Sequence, residues 1–356
     1  MLIATRTPLR VSFFGGGTDL REYYANNTYG AVLSATINKF VYVTVKRHGE
    51  LFDEPYRLNY SKTEIVKSLE TVENEIGREA LRLMNVKPPV YISTVADVPS
   101  GSGLGSSSSY AVGLLNALCA LESRRATFGD LAEMACHIEI DVLNKPIGKQ
   151  DQYSAAAGGL NNIRFFADGS VSIAPISART ADVHDLFGHF QLFWTGVTRS
   201  ADTILSEQKN NIRSTRHVLL QMRDMADEAI RLIQHGKMDI QTFGEMLDAA
   251  WQLKKRLASS VSAAKIDDWY ERARKAGAIG GKLCGAGGGG FLLFCAKKSS
   301  RESIRAALPE LQEVDIAFEP TGSTILFPTM HGGEHSNLRS LLRERNSEAA
   351  LASTAP

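Results

Sequence analysis

At 356 residues and 44% hydrophobic composition, the chain can bury substantial cores and is expected to form two domains or one large one, so disorder is not the default. A formal net charge of +1 and a pI of about 7.7 carry no chain-wide bias toward nucleic acid or an anionic membrane, so neither is expected as a partner. The four cysteines (Cys119, Cys136, Cys284, Cys295) form no CxxC pair, and the start "MLIATRTPLR" has no apolar run after a basic stretch, so a reduced, cytoplasmic protein without a membrane span is expected.

In chain order, "TPLRVSFFGGGTDL" reads as a strand running into a glycine-rich turn, and "GAVLSATINKFVYVTVKRHG" as a longer strand or hairpin. Residues from about 62 to 85 carry helix formers, "PPVYISTVADVP" returns to strand character, and "PSGSGLGSSSS" opens a helix near Ser106. A further helix covers Asp130 to Asn144, and a domain boundary falls near 185–195, before the strand "HFQLFWTGVTRSA". Helical periodicity follows over 201–234 and 240–259. After that, "AGAIGGKLCGAGGGGFLLFCAKK" alternates turn glycines with strand residues, and "RESIRAALPELQEVDIAFEP" reads as helix then strand. No fixed-period repeat is present, and residues beyond about 331 read as a polar tail.

The Gly/Ser run from Pro99 is too closely joined to the apolar helical stripe of Ala111, Leu114, Leu115, Leu118 and Leu121 to be a flexible linker. Two readings remain open on local grounds: a surface loop with a serine N-cap, or a phosphate cradle whose backbone N–H groups and following helix attract an anion. No GxxxxGK[ST] motif occurs, so the chain is not a P-loop NTPase. "GAGGGG" (Gly285 to Gly290) formally fits GxGxxG, but the strand-like "FLLFCA" follows it where a dinucleotide fingerprint needs a helix. Glu139 could be an ordinary helix residue and Asp151 an N-cap. The alternative is that one holds a metal and the other orients a hydroxyl.

Taken together and in order, "TPLRVSFFGGGTDL", "PSGSGLGSSSSYAVGLLNAL", "EIDVLNKPIGKQDQYSAAAGG" and "GGKLCGAGGGGFLLFCA" resemble the GHMP small-molecule kinases over roughly residues 3 to 325. Within that superfamily, "TPLR…GGGTD", "IGKQDQY" and "KLCGAGGGG" are most similar to the sugar kinases of heptose metabolism. The resemblance implies an α+β, two-domain fold. An N-terminal α/β ATP-binding domain with a mixed sheet would occupy 1–190, a ferredoxin-like α+β domain 191–330, and the polar tail 331–356.

The resemblance also implies that Gly101, Ser102, Gly103, Leu104, Gly105, Ser106 and Ser107 wrap the phosphates of ATP and that Ser107 and Glu139 hold Mg²⁺. Asp151 would orient or deprotonate the attacking hydroxyl with Arg10 beside it, and Gly16, Gly17, Thr18, Asp19, Gly287 and Gly288 would face the substrate. Thr198 and Arg199 in "GVTRSA" are the second half's candidates, Arg199 for a distal phosphate. Two positions depart from the pattern: "GSSSS" stands where many relatives have an alanine after paired serines, and Lys149 where heptose-kinase relatives can carry a small residue.

The implied reaction is ATP-dependent phosphorylation of the anomeric hydroxyl of D-glycero-D-manno-heptose 7-phosphate. ATP, Mg²⁺ and a sugar phosphate are the expected partners, and a homodimer is compatible with the sequence. An anomeric kinase for an unphosphorylated sugar such as fucose or a hexose, and a catalytically silent sugar and nucleotide sensor, are the alternatives.

Overall fold

The computed structural model describes residues 2–49, 51–198 and 201–326. The β-branched and apolar opening forms β1 (Leu2–Phe14), which passes through the glycine turn and a short helix α1 (Arg21–Tyr24) into β2 (Tyr29–Arg47). The two strands pair antiparallel from Leu2 opposite Lys46 to Phe14 opposite Leu33. Side chains alternate across a strand, so Leu9, Val11 and Phe13 share one face of β1 while Arg10 and Ser12 share the other.

The stretch after β2 differs from the sequence expectation. It forms β3 (Tyr56–Asn59) and β4 (Thr63–Val66), paired antiparallel, and the helix α2 spans only Glu75–Leu83. The reason is local. Glu64 on β4 accepts the backbone N–H groups of Glu73 (2.5 Å) and Asn74 (3.0 Å), which ties the chain to the strand, and the Asn74 side chain then caps α2 by accepting from the Gly77 N–H. β5 (Val90–Ala96) lies antiparallel to β2 and parallel to β3, so the sheet is mixed as expected.

Next come α3 (Ser106–Leu121), α4 (Phe128–Cys136), α5 (Gln150–Ala157), β6 (Leu160–Phe166), β7 (Val171–Pro175) and α6 (Thr180–Phe187). α3 is apolar on nearly every side, and its Ala111, Leu114, Leu115 and Leu118 are buried, which suits a helix enclosed by its own domain.

The second half contains β8 (Phe190–Trp194), α7 (Ala201–Gln234), α8 (Ile240–Lys255), α9 (Ala264–Lys275), β9 (Ala278–Leu283), β10 (Phe291–Ala296), α10 (Arg301–Ala307) and β11 (Gln312–Val314). Among the described residues the first sheet has eight strands and the second has four, in the order β11-β8-β10-β9 with every pair antiparallel. α7 has the expected bounds, whereas α8 stops at Lys255 and not near 259. α9 went unread in the sequence although Ile266, Trp269, Tyr270 and Ala273 form a buried stripe at helical spacing. The chain then returns to the first sheet, where β12 (Thr324–Ile325) pairs with β1.

The two sheets are joined by packing. Phe13 of β1 stacks on Phe190 of β8 (ring centroids 5.1 Å) and meets Phe243 of α8 edge-on (5.3 Å). Such pairs contribute about 0.5–1.5 kcal/mol beyond their buried area. All four cysteines are buried free thiols. No helix among the described residues is long and apolar enough to cross a membrane.

Candidate active site

A cavity of about 350 Å³ opens between the halves, lined by β1, the Gly/Ser loop, the start of α3, the segment before α5, α7 and the glycine turn between β9 and β10. The Gly/Ser loop is shaped by backbone conformation. Gly101, Gly103 and Gly105 take φ of 69°, 83° and 78°, the left-handed region that residues with a Cβ enter at a cost. Gly105 is the N-cap of α3 and no side chain caps that helix, which removes the serine N-cap reading. The first-turn N–H groups of α3 are therefore left for a ligand, at a helix end that favours negative charge.

The loop is held from two sides. Arg10 N–H donates to the Leu104 carbonyl (3.1 Å), and its side chain donates through Nη1 to the Gly103 carbonyl (2.8 Å). From the other side, the turn of residues 285–290 lies backbone to backbone on the loop: a Cβ at Gly285 would stand 2.4 Å from Gly103 Cα, and one at Gly290 2.3 Å from the Ser102 carbonyl oxygen.

Arg10 also grips Asp151 with both arms of its guanidinium, Nε to Oδ1 at 2.7 Å and Nη2 to Oδ2 at 2.5 Å. Asp151 sits in the first turn of α5 and faces the cavity. Glu139 lies in a π-helical turn, His137–Val142, that continues α4, a kind of irregularity often found at functional sites. Its carboxylate accepts from the Ser107 hydroxyl and from Gln152 Nε2 (2.6 Å). Burial raises the Glu139 carboxyl above its ordinary range in spite of these hydrogen bonds.

Asp19 lines the same cavity. Its Oδ1 accepts from the Gly17 N–H at 3.0 Å, and burial first, then the charge of Asp151, pushes its carboxyl up from 3.8 to about 6. The sign is fixed by linkage. With a folded-state pKa above the unfolded one, the native protein binds the extra proton between about pH 4 and 6, so this residue's contribution to stability falls as pH rises through that window. At about 1.4 kcal/mol per unit the total is about 3 kcal/mol, and urea titrations from pH 4 to 7 should lose about that much of their pH dependence in Asp19→Asn. A slope unchanged by the substitution would contradict the assignment.

Several expected residues stand elsewhere. Thr18 is fully buried, its hydroxyl within hydrogen-bond distance of the carbonyls of Gly15 (2.8 Å) and Ala31 (3.1 Å) and accepting from the Ala31 N–H, so it braces the turn and does not line the cavity. Ser102 and Leu104 are fully buried within the loop, and Gly288 donates its N–H to the Val261 carbonyl (2.9 Å); none of the three lines the cavity. Gly16, Gly17, Asp19 and Gly287 do line it. Arg199 lies outside the described residues, and Thr198 beside it is exposed. Lys149 turns away to Glu133 and to the Gly169 carbonyl (3.1 Å). The cavity also takes in Ser12, Lys145, Gln150, Asp202, Gln208, Lys254 and Lys282, which the sequence reading did not name. Gln150, Gln208 and Lys254 sit in polar stretches that carry no signal of their own, whereas Lys282 in "GGKLCG" is a charge set among small and apolar residues.

Two comparisons decide the family. Residues 63–159 match the GHMP kinases N terminal domain and residues 228–313 the GHMP kinases C terminal model. The chain is 30% identical over 320 residues to D-glycero-alpha-D-manno-heptose 7-phosphate kinase of Campylobacter jejuni, covering 87% of this chain and 94% of that protein. The chain belongs to the GHMP kinase family. It is thus a phosphotransferase of the GHMP sugar-kinase kind.

A mevalonate kinase of Pyrococcus horikoshii is 24% identical, over 85% of this chain and 83% of its own length. Among solved structures, D-glycero-D-manno-heptose 1-phosphate kinase of Bacteroides thetaiotaomicron superposes with a TM-score of 0.74 at 24% identity, covering 91% of this chain and 99% of the other, a likeness of fold.

ATP and Mg²⁺ fit the residues present. The Ser12 hydroxyl and the Gln150 side-chain oxygen are buried at the cavity without a hydrogen-bond partner among the described residues, so a polar ligand has groups to satisfy. No cluster of three His, Cys, Asp or Glu exists among the described residues. One hydroxyl and one carboxylate suit Mg²⁺, which keeps waters and substrate phosphates as its other ligands.

Proposed function

We propose that this GHMP kinase phosphorylates the anomeric hydroxyl of D-glycero-D-manno-heptose 7-phosphate with ATP, giving the 1,7-bisphosphate for nucleotide-activated heptose and surface polysaccharide. The single observation that carries the chemistry is the convergence of the Arg10–Asp151 pair and the Ser107–Glu139 pair on one cavity beneath the Gly/Ser loop. The heptose 7-phosphate assignment draws on the Campylobacter relative.

Mg·ATP supplies the phosphoryl group with part of its charge already neutralised. Ser107 and Glu139 would hold the metal, and the N–H groups of Gly101 to Ser107 would hold phosphate oxygens. Asp151 accepts the proton of the attacking hydroxyl, and Arg10 fixes the direction of that carboxylate while linking it to the phosphate loop through the Gly103 carbonyl. Asp19 takes sugar hydroxyls. Phosphoryl transfer needs mainly positioning and charge stabilisation, and this set provides both.

The test is ADP release with Mg·ATP and heptose 7-phosphate against free heptose, mannose and fucose, with the product followed by phosphorus NMR. Turnover restricted to the 7-phosphate, with a new anomeric phosphate signal, is the expected result. Preference for a free sugar would discard the substrate and keep the mechanism; no acceptor-dependent turnover would leave a sugar and nucleotide sensor.

A further inference from the structure

Two buried lysines that this chemistry leaves unused line the same cavity. Lys254 on α8 and Lys282 at the end of β9 are only 7% and 6% exposed. Lys282 Nζ donates to the carbonyls of Ser12 (2.7 Å) and Phe13 (3.0 Å), reaching from the second sheet to the end of β1. Lys254 Nζ donates to the carbonyls of Leu283 (3.0 Å) and Gly285. When protonated, each ammonium has three donors and so keeps one that no acceptor among the described residues takes.

Neither lysine forms an ion pair among the described residues. The positive charges acting on Lys254 are Lys282 and Arg10, and Arg10 is already neutralised by Asp151. Burial first, and then the charge of Lys282, hold Lys254 well below the usual lysine range; burial also brings Lys282 down to about 8. Burial without a counter-charge disfavours the protonated form of both, and an anion bound in the cavity they line would relieve that cost.

We infer that Lys254 and Lys282 form a phosphate seat beside the 285–290 turn, filled by a phosphoryl group of a substrate. Two sources share that chemistry: the group in transfer from ATP, and a phosphate the acceptor already carries. The second source rests on the heptose 7-phosphate reading and the first does not.

The test uses Lys254→Met and Lys282→Met in the full-length enzyme. With ADP saturating, so that the Gly/Ser loop is occupied, inorganic phosphate should raise the wild-type melting temperature relative to chloride at equal ionic strength. Each variant should lose that rise. In turnover, a seat for the transferring group lowers kcat by about 10²-fold for phosphorylated and free heptose alike, comparable to losing one preorganised oxyanion donor. A seat for the acceptor's phosphate instead raises the KM for heptose 7-phosphate at least tenfold and leaves free heptose unchanged.

If both variants keep the phosphate response and stay within twofold of wild type in kcat and both KM values, the lysines are only structural struts and the inference is overturned. Lys282→Gln, which can still donate to one of the β1 carbonyls, replaces a methionine variant that fails to fold. A wild type that turns over no sugar phosphate sinks the heptose reading, while the phosphate response still decides the lysines.

Discussion

Asp151→Asn is expected to lower kcat by about 10²–10⁴-fold, the range for loss of a positioned general base, with nucleotide affinity changed by no more than a few-fold. The geometry explains why the effect falls on turnover. Asp151 presents two oxygens to two guanidinium donors of Arg10, at 2.7 and 2.5 Å. An asparagine offers one oxygen, and its amide turns N–H toward N–H, so the substitution removes the proton acceptor and also frees Arg10 from its register. Arg10 still reaches the Gly103 carbonyl and the loop glycines are untouched, so ADP binding should persist. Single-turnover rates alongside calorimetric ADP binding separate the two effects. Unchanged turnover would take Asp151 out of the mechanism, and equal losses in rate and nucleotide affinity would make it a support of the loop.

Gly285→Ala is expected to destabilise the protein by about 2–5 kcal/mol and to cut kcat/KM for ATP by about 10²-fold or more. Gly285 has a φ of 67°, and a Cβ there would sit 2.4 Å from Gly103 Cα and 2.9 Å from the Gly103 carbonyl oxygen. Both are backbone atoms of the candidate phosphate loop, so relief comes only by moving that loop. Gly236→Ala is the control. It has a similar φ of 64° and open space around the added carbon, so it should show only the conformational cost of about 1–2 kcal/mol with normal kinetics. Denaturant unfolding and the ATP dependence of initial rates measure both variants. A Gly285→Ala enzyme that behaves like Gly236→Ala would show that the two glycine segments do not depend on each other's contact.

Much of the molecule was legible from local pattern. α3 and α7 announce themselves by spacing and the longer strands of the first half by their β-branched and aromatic runs, whereas the mixed sheet followed from the family resemblance. The segment from 62 to 85 was misread because helix formers there compete with a side-chain contact, Glu64 to the backbone at Glu73 and Asn74, that no propensity encodes. Thr18 was assigned to substrate because it sits inside "GGGTD", but a hydroxyl between two carbonyls is spent on the turn.

The sequence by itself determined many of the helices and strands, the order of four motifs and, through their wording, the family. Those properties are set by residues near one another in the chain: periodicity, turn glycines and hydroxyl-rich loops. Only the tertiary structure decided which polar groups meet. Arg10 and Asp151 are 141 positions apart, Ser107 and Glu139 are 32 apart, and Lys282 reaches a carbonyl 270 positions away. It also decided which charges are left unmatched, since Lys254 and Lys282 become an uncompensated pair only when α8 and β9 pack behind the end of β1. Desolvation and Coulomb interaction depend on distance and burial in the folded chain, and neither is written in the spacing of residues along it.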